Sequence, residues 1–72
     1  MDIHIDDVFI LHSSDGNDYK MVIVNINDFR PPDMKYAVDL YDKEGKHVSN
    51  DVFFIGDDFF EGNKSKITIA YD

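Results

Sequence analysis

From Tyr19 to Ile26 the chain sets apolar side chains on both faces of an extended strand: Val22, Val24 and Ile26 share one face, while Tyr19, Met21 and Ile23 share the other. A strand that is apolar on both sides belongs at the centre of a sheet with cover on each face. With 72 residues and no Cys, the chain has no disulfides and room for only one small core, burying about 60% of its extended surface. A second subunit is one source for the missing cover, and Tyr19, Met21 and Ile23 are the residues expected at such an oligomer interface, most simply a homodimer.

The remaining segments are strand-like and separated by turn chemistry. Ile3 to Leu11 changes phase at Asp6-Asp7, a site for a bulge or kink, and Ser13 to Asp18 is rich in turn formers. Pro31 and Pro32 interrupt pairing, after which Met34, Tyr36, Val38 and Leu40 alternate with more polar positions. Asp42-Lys43-Glu44-Gly45 fits a type I turn followed by a left-handed glycine. His47 to Ile55 reads as a fourth strand interrupted at Ser49-Asn50-Asp51, and Lys66 to Tyr71 as a fifth. Between them, Asp58 and Glu61 have capping-box spacing, which predicts one helical turn over 57–61 ended by Gly62. The expected fold is mainly β: a single antiparallel sheet of about five strands, a meander or small barrel-like roll, in one domain over residues 1–72.

Catalytic chemistry finds little to stand on. His4, His12 and His47 are outside any nucleophile motif, and His12 and its neighbour Ser13 point to opposite faces of a strand. Asp15-Gly16-Asn17-Asp18 resembles a fragment of a calcium loop, but the twelfth position is Ile26 where a bidentate Glu is needed. Adjacent acids such as Asp6 with Asp7 are typical of solvated loops rather than of glycosidase pairs. The expectation is a protein that is not an enzyme, with no cofactor and no metal.

Charge narrows the partners. Fifteen Asp and Glu against seven Lys and Arg give a net charge of -8, which repels nucleic acid and anionic membranes and attracts a basic protein surface. The acids at the N-terminus, where a signal peptide carries Lys or Arg, point to a cytoplasmic protein. The segment from Phe53 to Glu61 combines large aromatics with carboxylates, the composition of an anchored and electrostatically steered interface. Asp57, Asp58, Phe59, Phe60 and Glu61, with Asp6 and Asp7, are therefore the expected partner-binding residues, and exposure of Phe59 or Phe60 is the sign of a binding edge. Same-face carboxylates on one strand recur no closer than about 6.7 Å, so imitation of nucleic acid needs several strands or loops together.

In size and acidity the chain resembles the short acidic β-proteins that phages and mobile elements encode. The leading expectation is a non-enzymatic inhibitor or regulator that docks on a basic, nucleic-acid-handling protein. The alternative is a self-assembling structural or small-ligand-sequestering β-domain acting as a homo-oligomer.

Overall fold

Strands β1 (Val8–His12), β2 (Asp18–Ile26), β3 (Tyr36–Tyr41), β4 (Phe53–Ile55) and β5 (Ile67–Ala70) form one antiparallel sheet in the order β4-β3-β2-β1-β5. The computed structural model describes residues 2–48 and 50–70, so Ser49 and Tyr71, expected in the fourth and fifth strands, lie outside the described residues. The fold is mainly β, as the alternation implies, and the sheet stays open, with β4 and β5 as its edges. Helix α1 (Asp57–Gly62) and a 3-10 turn at Lys64–Lys66 lead from β4 back to β5, which pairs with β1.

Both tight hairpins use one device. Asp42 N–H donates to Lys46 O and Gly45 N–H to Asp42 O, with Gly45 at φ 84. The β1-β2 turn repeats this pattern with Ser13, Asn17 and Gly16, whose φ is 87. In each case a left-handed residue after a type I turn matches the strand twist, and glycine adopts that conformation without a Cβ penalty. The Asp6-Asp7 irregularity is also present: Asp6 N–H donates to Ile23 O and Ile23 N–H to Asp7 O, so two residues oppose one, with Asp6 at φ 73.

The core lies on one face of the sheet, and it corrects the assignment of Met21 and Ile23, though not of Tyr19, to a subunit interface. Met21 and Ile23 are buried within the single chain together with Phe9, Tyr36, Val38 and Phe60, and Tyr19 is half-buried. The register shift between Ile23 and Asn25 makes Val24 an extra residue and adds Ile26 to the core side with Met21 and Ile23. The cover sought from a second subunit comes instead from α1, whose Phe60 ring lies 5.1 Å from Phe9 and 5.7 Å, edge-on, from Tyr36.

The helical turn forms as expected, but without the capping box. Gly56 is the N-cap, Asp57 and Asp58 occupy the first turn where they complement the helix dipole, and Asn63 closes the other end through Phe60 O and Phe59 O. Gly56 is required for another reason. A Cβ there would lie 2.0 Å from Pro32 O, so the start of α1 fits against the turn before β3 only with a glycine.

Candidate protein-binding surface

The connection from β2 to β3 is the most strongly braced loop and presents the most exposed aromatic residue. Asn27 Oδ1 accepts from Phe29 N–H at 2.9 Å, an Asx turn, and Asn27 N–H donates to Lys35 O to close the loop base. Arg30 then folds back: its Nε donates to Met34 O at 2.8 Å, and its Nη2 to Lys35 O at 3.0 Å and Asn25 Oδ1 at 3.2 Å. Its guanidinium carbon sits 5.1 Å from the centre of the Phe54 ring, a cation-π contact on the edge strand. With Arg30 fixed and a 3-10 turn (Pro32–Met34) following, Phe29 is held outward and is 99% exposed.

Carboxylates crowd the same end of the sheet. Asp6 and Asp7 precede β1, Asp28 follows β2, Asp33 precedes β3, and Asp57 and Asp58 follow β4, against Arg30 and Lys35 among the described residues. Lys35 Nζ lies 3.6 Å from Asp28 and 3.8 Å from Asp57, so it ties two of these acids without neutralising the group. The Tyr36 hydroxyl donates to Asp57 Oδ1 at 2.6 Å; burial first, and this bond second, push the Tyr36 phenol above its ordinary value. The Tyr36 hydroxyl, then Asp57 and Asp28, hold the Lys35 ammonium above its own. At the opposite end, Asp15, Asp18, Asp42, Glu44 and Asp51 are balanced by Lys20, Lys43, Lys46, Lys64 and Lys66.

Of the expected partner-binding residues, Asp6, Asp57 and Asp58 are exposed and Asp7 is half-buried, all at the acidic end. Glu61 is exposed beyond them on α1 and is bonded to Lys64 at 2.8 Å, which lowers its carboxyl below the usual range. Phe60 is buried in the core and Phe59 packs half-buried beside it, so neither forms an exposed edge; that position is taken by Phe53 at 38% and Phe54 at 43% exposure. The reason is helical spacing: α1 must turn its aromatics inward to cover a one-layer sheet, whereas β4 lies at the margin, where Phe54 stays partly exposed beside Arg30. Strand alternation does not mark Phe29, which lies in the β2–β3 connection. Its signal is a bulky aromatic between Asp28 and Arg30 in a loop that ends in two prolines.

No protein family, curated protein or solved structure matches the chain.

On the sheet face away from α1, an open depression of 550 Å³ is lined by Ile10, His12, Lys20 and Tyr41, among others. Beside it, His12 joins Asp18 at 3.0 Å and Thr68 Oγ1 at 2.8 Å, the order of an acid-base-hydroxyl row. Thr68 does not line the depression, and all three groups lie exposed to competing water. The row ties β2, β1 and β5 together. Among the described residues no cluster of three or more His, Asp or Glu is placed to hold a metal, and no helix is long and apolar enough to cross a membrane.

Proposed function

We propose that the protein is a non-enzymatic binding module that docks its acidic and aromatic end on a basic surface of another protein, acting there as an inhibitor or regulator. The observation that carries this reading is Phe29, fully exposed on a loop whose neighbouring residue is pinned by three hydrogen bonds and a ring contact. Holding a large apolar side chain out in water has no benefit to the isolated fold, whereas a loop backbone already braced in one shape lowers the entropy cost of association. The surrounding aspartates steer a basic partner and disfavour acidic ones. A protein whose own ligand is nucleic acid has the basic site that such a carboxylate row fits.

The test is affinity capture from host lysate with the wild-type protein and with Phe29→Ala, each at low and high salt. The reading requires a basic protein that is retained by the wild type, released by salt, and lost with Phe29→Ala. Equal capture by both proteins removes Phe29 from the interface and contradicts the reading.

Self-assembly is favoured by a separate observation. Val8, Ile10 and Val22, on the sheet face opposite the core, are half-buried and have no helix over them among the described residues. A second copy laid on that face would bury them, and its interface would consist of these residues rather than Met21 and Ile23. Sedimentation at increasing protein concentration separates the readings, since apolar burial persists in salt and steered docking does not.

A further inference from the structure

The free edge of β4 has the features of a strand-pairing site. Backbone groups in β3 alternate in direction: Lys35 O, just before the strand, accepts from Asn27 on the β2 side, whereas Leu40 O accepts from Val48 on the β4 side. Tyr36 and Val38 have the parity of Leu40, so they bond to their registered partners Ile55 and Phe53. Phe54, between those partners, therefore turns its N–H and C=O away from the sheet. Since β4 is the last strand in the order, no further strand among the described residues takes them up.

Sheet margins are ordinarily blunted by charged or proline residues, and strand brevity is the one such device in β4 itself. Val52, Phe53 and Phe54 are exposed apolar residues along this margin, with Asp51 before them and Asp57 and Asp58 after. An apolar stretch bracketed by acids complements an apolar stretch bracketed by lysines or arginines. We infer that β4 receives an extended, basic segment of the partner protein, which pairs with the Phe54 N–H and C=O, lays an apolar side chain against Phe54, and directs its cations to the aspartates. This inference rests on the proposed docking function and adds its mode. A second copy of the same acidic end is disfavoured by like charge.

The probe is a blocked peptide of three valines flanked on each side by two lysines, together with two analogues N-methylated on either the odd-numbered or the even-numbered residues. An extended peptide pairs along one edge only, so one analogue should bind about tenfold more weakly and the other much as the parent does. Phe54→Pro removes the outward N–H without touching the bonds to β3, and should weaken the parent peptide beyond the loss seen in Phe54→Leu, which keeps the N–H. Retained dispersion in the amide spectrum of each variant establishes that it is folded.

Equal binding of all three peptides, weakened by Asp33→Lys with Asp58→Lys, would overturn strand pairing and leave the docking function standing. Pairing unaffected by that charge reversal would keep the edge and overturn the role of the acids. Absence of binding at millimolar peptide, or a concentration-dependent dimer abolished by Phe54→Pro, would overturn the inference.

Discussion

Three side chains report how this fold is held and used. Asp6 sits at φ 73, a left-handed conformation that disfavours a side chain, and its backbone N–H rather than its carboxylate makes the bond to Ile23. Asp6→Gly should raise unfolding stability by about 1 kcal/mol in denaturant titration. Tyr36 holds a proton more tightly when folded than when unfolded, because of burial and its bond to Asp57. Its contribution to stability is therefore complete below the unfolded value near pH 10 and is lost as pH rises through the higher folded value. Tyr36→Phe should flatten that alkaline loss in thermal melts taken across the window; an unchanged slope assigns it to another group. Phe29 contributes nothing to the core, so Phe29→Ala should change stability by less than about 0.5 kcal/mol.

At the scale of elements, one joint determines whether the helix covers the sheet. The start of α1 lies against the Pro32–Met34 turn through Gly56, and the helix then delivers Phe60 onto Phe9 and Tyr36. Gly56→Ala should cost about 1–3 kcal/mol, because the contact it creates is with backbone and cannot swing aside. The presence and order of the elements were legible from alternation and turn residues, down to the left-handed glycine at Gly45, but their bounds were not: β1 begins at Val8 rather than Ile3, Met34 lies in a 3-10 turn before β3, and β4 keeps only Phe53–Ile55 of the stretch from His47. Face assignment was not, since alternation does not tell which face of a doubly apolar strand is covered, and one extra residue at Val24 inverts the parity of Asn25 and Ile26 with no local property to mark it. The candidate site was half legible. Acids at Asp57 and Asp58 were found from composition, while the exposed aromatics were placed on α1 instead of β4 because burial depends on which element crosses beneath the sheet.

For the whole molecule, the excess negative charge is unevenly distributed: it gathers at the strand ends that carry Phe29 and α1, while the opposite end is near balance. Ile23, fully buried among Met21, Val38 and Phe60, tests the other half of the account, that one chain completes its own core. Ile23→Asp should give an unfolded chain rather than a folded monomer released from a dimer, because a buried unpaired carboxylate costs several kcal/mol. The most direct test of the docking function is the salt dependence of the association rate between the wild-type protein and its captured partner, measured beside Asp33→Lys with Asp58→Lys, two acids outside the Lys35 ion pairs. The account predicts a wild-type rate that falls steeply as ionic strength rises, and a slower, flatter rate for the variant, with both folded. Superimposable curves for the two proteins would contradict it.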